Sequence, residues 1–268
     1  MRLQLHSVAL SLCFAGLAQT AVADSKAGLA QLDAGNFEAA AKEFQASFDA
    51  GDGDAAFYLG RMFEMGVGTA VNMPKAVALF EAAAAKDSAL GTNRLGLMYL
   101  DGQGVIRDFE KGAELVCKAA DMGEQNAQFN CGAMLSDGKG IAKDRAKALE
   151  YWQLASDQGQ IAASNLLAQA YKTGDGIEAD PAHAFDLFSV TAEQGNAMGL
   201  YEVALAFETG LGAEADPVKA YSYANIAAAR QHPDAPALRD KIEATLTAEE
   251  IAAGQRLARG WSKATEDA

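Results

Sequence analysis

Histidine and proline are scarce in this chain of 268 residues, which holds three of the first and five of the second. So few prolines, in a chain that is half apolar, speak against disorder and leave enough material for a sizeable core. His6, His183 and His232 stand isolated, and neither a His-x-x-x-His nor a Cys-x-x-Cys spacing occurs. No dedicated metal site and no cofactor are expected from such a set. Basic residues are also in short supply: 22 Lys and Arg face 36 Asp and Glu, for a formal charge of −14. That surface repels phosphate backbones and anionic headgroups, so nucleic acid is not an expected partner. The acids are spread along the chain, and no pair stands out as an acid/base couple.

The N-terminus carries its own signal. Arg2 precedes a short apolar run at residues 8–17, and Ala21-Val22-Ala23 places small residues where a signal peptidase reads. The run is too short to cross about 30 Å of hydrocarbon, so residues 1–23 are expected to be a signal peptide cleaved after Ala23. The mature chain, at −15, would then be periplasmic or secreted. Cys13 as a lipid attachment site is disfavoured by the bulky Leu12 before it. No other apolar stretch is long enough to span a bilayer, and no membrane insertion of the mature chain is expected.

What the chain has in abundance is a period. A Gly-x-Gly pair recurs at Gly66/Gly68, Gly102/Gly104, Gly138/Gly140, Gly174/Gly176 and Gly210/Gly212, each 36 residues after the last. Seven residues before each pair stands Leu59-Gly60, Leu95-Gly96, Cys131-Gly132, Leu167-Ala168 or Val203-Ala204. Nine residues after the first glycine comes Lys75, Lys111, Lys147, His183 or Lys219. Five copies in register constitute an internal repeat. Each reads as two helices: apolar residues such as Ala55, Leu59, Met62 and Phe63 fall at helical spacing, the glycines end the first helix, and an Asp or Pro opens the second.

The stretch "LGLMYLDGQGVIRDFEKGAEL…KAADMGEQNAQ" resembles the Sel1-like repeat, a relative of the tetratricopeptide repeat. The resemblance implies an all-α, right-handed α-solenoid of helix-turn-helix repeats. Residues 54–231 would form five Sel1-like repeats, residues 24–53 a tetratricopeptide-like helix pair, and residues 232–268 capping helices with Thr247 and Glu250 as a capping box.

Three motifs that look chemical read as structural. A dinucleotide site needs a strand before its glycines and occurs once per fold, not five times after helices. Ser136-Asp137-Gly138-Lys139 matches the S-x-x-K of penicillin-recognising enzymes; no S-D-N or K-T-G partner accompanies it, and the same place holds Glu64, Leu100, Lys172 and Glu208 in the other copies. His183 and His232 are expected at a helix start and in a turn.

Cys117 and Cys131 lie in helices on either side of a bend near Glu124, each seven residues from it, which sets them opposite each other. A structural disulfide is expected, with two buried thiols as the alternative. Cysteine-rich Sel1-like proteins staple the same junction about one turn closer to the bend. In related repeats the first helices line the concave side, and residues two before the Leu-Gly pair face the groove. Here those are Phe57, Asn93, Phe129, Asn165 and Tyr201, with Arg61, Leu97 and Gln169 in the row two places after the Leu. Rings and amides in alternation suit an extended peptide, the rings taking apolar side chains and the amides bonding its backbone. The alternative is that some rings pack between helices as core. The resulting expectation is a non-catalytic scaffold or adaptor for a protein or peptide partner in the cell envelope. The resemblance ties such proteins to membrane sensor kinases, exopolysaccharide production and envelope assembly. The competing reading is a β-lactam or peptidoglycan-fragment hydrolase, and a glycan in place of a peptide is a third.

Overall fold

The structure is a computed structural model that describes residues 25–266, so the expected signal peptide, with His6 and Cys13, lies outside the described residues. Helix is the only regular secondary structure among them. The order is α1 (Lys26–Asp33), α2 (Phe37–Asp49), α3 (Gly53–Met65), α4 (Met73–Ala85), α5 (Ala89–Asp101), α6 (Phe109–Asp121), α7 (Gln125–Asp137), α8 (Arg145–Asp157), α9 (Ile161–Thr173), α10 (Pro181–Glu193), α11 (Ala197–Thr209), α12 (Pro217–Ala229), α13 (Ala235–Glu243) and α14 (Ala248–Glu266). Each helix from α1 to α12 packs on the next, α14 packs back on α12, and α3 also touches α5. The result is an all-α solenoid of paired helices.

The helix ends follow from a few side chains. Asp108, Asp144, Asp180 and Asp216 cap α6, α8, α10 and α12, their carboxylates accepting from the N–H groups of Lys111, Lys147, His183 and Lys219 at 2.9–3.0 Å. Each such cap is worth about 1 kcal/mol. At the other end, Gly66, Gly102, Gly138, Gly174 and Gly210 close the first helices in the left-handed region, at φ of 71–76°. Their N–H groups bond back to the carbonyl oxygens of Met62, Met98, Met134, Ala170 and Ala206. The cation nine residues later folds over an aromatic ring of the first helix. Lys75 sits 4.0 Å from the Phe63 ring centre, Lys111 4.2 Å from Tyr99 and Lys219 5.1 Å from Phe207. His183 meets Tyr171 edge-on at 4.4 Å. The third unit has Leu135 in place of the ring, and Lys147 turns to Tyr151 instead.

The second glycine of each pair does different work. It rests on the first turn of the preceding unit's second helix: Gly68 on Phe37, Gly104 on Met73 and Val77, Gly140 on Phe109, Gly176 on Arg145, Gly212 on Pro181. A Cβ at Gly140 or Gly212 would overlap the carbonyl oxygen of Phe109 or Pro181. The Gly-x-Gly turn is therefore an inter-unit bearing surface.

The core is a run of small clusters, one per neighbourhood, with no single centre. Phe44 packs with Leu59 and Met62, Phe80 with Leu95 and Met98, Val116 with Met134 and Leu135, and Phe188 with Leu200 and Val203. Cys117 of α6 and Cys131 of α7 form a disulfide, with Cα atoms 5.0 Å apart. It ties one unit's second helix to the next unit's first and closes a loop of 14 residues, a constraint of about 3 kcal/mol on the unfolded chain. At the C-terminal end Leu238 and Ile242 cover Ala204, Ala220 and Tyr221. The Thr247 N–H donates to Glu250 at 2.8 Å, and the Glu250 N–H donates back to the Thr247 hydroxyl at 3.3 Å.

Gly140→Ala should cost about 3 kcal/mol, the left-handed φ and the clash with Phe109 acting together. Gly159→Ala, at φ +86° with nothing within 4 Å, should cost about 1 kcal/mol. Urea unfolding followed by circular dichroism measures both; equal losses would remove the inter-unit role of the second glycine.

Candidate partner-binding face

The row expected to line a groove is largely engaged by the fold. Asn93 and Asn165 are buried, at 7% and 8% exposure. The Asn93 amide donates to the Glu124 carboxylate at 2.8 Å, and the Asn165 amide donates to Asn196 Oδ1 at 3.0 Å. Glu124 and Asn196 are the residues that cap α7 and α11, so each asparagine reaches across a seam to hold the next unit's first helix. Tyr201 occupies the same position one unit on, and its ring stacks on His232 at 4.1 Å. Phe57 is half-buried, tilted against Phe80 at 6.0 Å, and Phe129 is half-buried on Leu149 and Trp152. Bonding the backbone of a bound strand is therefore not what the Asn93 and Asn165 amides do in this structure. Leu97 is half-buried beside the cluster of Val116 and Cys131. Arg61 donates to Glu64 at 2.7 Å, and Gln169 is half-buried on the same helix face.

One residue further along each first helix lies the row Tyr58, Arg94, Asn130, Leu166 and Glu202, in which Leu166 is exposed and the other four are half-buried. A step of one residue turns a helix by about 100°, enough to carry a side chain from the seam to the surface. Leu166 is 38% exposed and Met198, on the neighbouring first helix, 39%. Two ion pairs mark this face. Glu64 pairs with Arg94, and Lys172 with Glu202 at 2.5 Å. They occupy equivalent positions with the charges exchanged. Beside the second pair, α10 and α11 enclose a cavity of about 130 Å³ lined by Ala184, Phe185, Phe188, Leu205, Ala206 and Leu211. Leu211 at its edge is 50% exposed. A drug-sized ligand needs a few hundred Å³; this space suits one apolar side chain. The exposed Leu166 was the available sequence signal, an apolar residue in an otherwise polar row.

The motifs set aside above take structural places. The Ser136 hydroxyl accepts from Arg145 at 3.0 Å, and Arg145 also pairs with Asp175 at 2.7 Å. A guanidinium on Oγ cannot act as the general base a serine nucleophile requires. His232 Nδ1 accepts from the Asp234 N–H at 3.3 Å. Among the described residues no three His, Cys, Asp or Glu are grouped to hold a metal ion. Tyr151 donates to Asp121 at 2.5 Å across a seam of second helices; burial first, and that bond second, push its phenol far above the usual range.

The family model described as Sel1 repeat matches residues 53–88, 89–124, 125–160, 161–196 and 197–232. Among solved structures, a Sel1 repeat protein from Oxalobacter formigenes is 23% identical, with a TM-score of 0.71 over 88% of this chain and 99% of that one. The protein c5321, a protective antigen present in uropathogenic Escherichia coli strains displaying an SLR fold, is 20% identical. Its TM-score is 0.49, over 89% of this chain and 68% of that one. No curated protein matches the chain.

The two seam asparagines differ in one respect. Thr191 donates its hydroxyl to Asn165 Oδ1 at 2.9 Å, whereas Asn93 Oδ1 is buried with no partner. The position equivalent to Thr191 is Ala119, and where Gly199 makes room for the threonine hydroxyl the earlier unit has Ala127. Ala119→Thr alone should destabilise, its branched side chain meeting the Ala127 methyl. Combined with Ala127→Gly, it should show a favourable coupling of about 1 kcal/mol, from pairing the orphan oxygen. A thermal-denaturation double-mutant cycle measures this; strict additivity would contradict it.

Proposed function

The chain belongs to the Sel1 repeat family, and from that premise we propose that it is an exported, non-catalytic adaptor whose right-handed solenoid holds a protein or peptide partner on its first-helix face. The cavity between α10 and α11 carries this reading. It is apolar, sized for one side chain, and edged by the Lys172–Glu202 ion pair. An aliphatic or aromatic anchor fits such a lining better than a sugar does, and flanking polar residues of a peptide can meet the ion pair. Leu166 and Met198 extend the apolar contact along the neighbouring helices.

Export is supported by two independent features: the short apolar run ending in Ala21-Val22-Ala23, and the Cys117–Cys131 disulfide, a bond that persists in oxidising compartments. An envelope adaptor serving a membrane sensor, exopolysaccharide production or envelope assembly is consistent with both. On this reading the chain recovered from outside the cytoplasm begins at Asp24, as N-terminal sequencing would show; recovery in the cytoplasm with residues 1–23 intact would contradict it.

The test of the face is capture of the native partner from the envelope by the tagged protein. Leu211→Glu, at a half-exposed position, should reduce recovery about ten-fold or more while the melting curve stays unchanged. Undiminished recovery would move the site elsewhere.

A further inference from the structure

A second set of clefts lies on the side built from second helices and turns. One, of about 650 Å³, runs between α6 and the turn at residues 138–144, lined by Phe109, Ala113 and Ile141. The next, of about 480 Å³, runs between α8, α9 and the turn at residues 174–180, lined by Leu149, Leu154, Leu167, Tyr171 and Ile177. They stand one unit apart, and a second helix and the next Gly-x-Gly turn contribute to both.

Carboxylates follow this edge. Glu114, Glu150 and Asp186 hold one repeat position at intervals of 36 residues, and all three are exposed. Glu114 and Glu150 line the two clefts. None of the three forms a salt bridge among the described residues. The nearby cations face other groups: Arg145 pairs with Asp175, Lys147 covers Tyr151, and Lys139 and Arg107 cover Phe109. One turn after the carboxylate, α6 carries Lys118, but α8 carries Leu154 and α10 carries Val190, which are 47% and 50% exposed. From α8 to α10 the edge therefore repeats an acid followed by a bare aliphatic side chain.

We propose that the cleft between α8 and the turn before α10 docks a cationic, aliphatic-rich segment of a partner protein. One large apolar side chain enters between Leu154 and Ile177, and lysine or arginine residues on either side meet Glu150 and Asp186. The pairing uses the apolar effect for affinity and the acid row for orientation. Its lining shares no residue with the cavity between α10 and α11, so either can fail without the other.

Fluorescence anisotropy with labelled peptides tests it. A peptide of about twelve residues alternating Leu and Lys is compared with Leu/Glu and Ser/Lys versions of the same length. The Leu/Lys peptide should bind, with affinity about ten-fold lower for Leu154→Glu and for Glu150→Lys. It should bind equally to the charge-matched Glu249→Lys, and melting curves should be unchanged throughout. Failure to bind, equal binding by Ser/Lys, or binding indifferent to Leu154→Glu and Glu150→Lys would each overturn the proposal.

Discussion

At each seam a glycine backbone sits against the first turn of the preceding unit's second helix, too close for any side chain to intervene. A two-helix unit of this size cannot bury its apolar faces alone, so its stability comes from its neighbours. The seams also make the approach between helices close elsewhere. Gly91 meets Ala83, and Gly199 meets Thr191 and the Ala192 backbone, at positions where a Cβ would collide. The Cys117–Cys131 bridge adds a covalent tie at one of these junctions.

This constraint decides which side chains remain for a partner. Residues that face the seam are drawn into it: Asn93 onto Glu124, Asn165 onto Asn196, Tyr201 onto His232. Leu166, a third of a helical turn away from Asn165, is left at the surface. The exchanged charges of Glu64–Arg94 and Lys172–Glu202 add order to the stack. Pairing the units out of sequence would set like charges against each other, a cost that favours one register over its competitors.

Much of the architecture was legible because the period is undisturbed. Glycine spacing located the turns, Asp108, Asp144, Asp180 and Asp216 located the second-helix starts, and Thr247 with Glu250 located the last helix. The equal distances of Cys117 and Cys131 from their bend place them at bonding range, as the helix rise requires. The face was harder to read. A repeat position specifies depth along a helix but not whether a neighbour covers it, and Asn93 and Asn165 are polar residues that look available until the capping residue 31 positions later is seen beside them. Lys75, Lys111 and Lys219 likewise gave no hint in sequence that a ring twelve residues earlier would lie beneath them.

The most direct test places a photo-crosslinking amino acid, one position at a time, along α9 and α11 in the native host. The account predicts that positions 166, 169 and 205 trap one and the same partner protein, while position 172, engaged with Glu202, traps it weakly. A folded chain that gives no adduct from the first-helix row, or gives adducts only from the second-helix side, would contradict it.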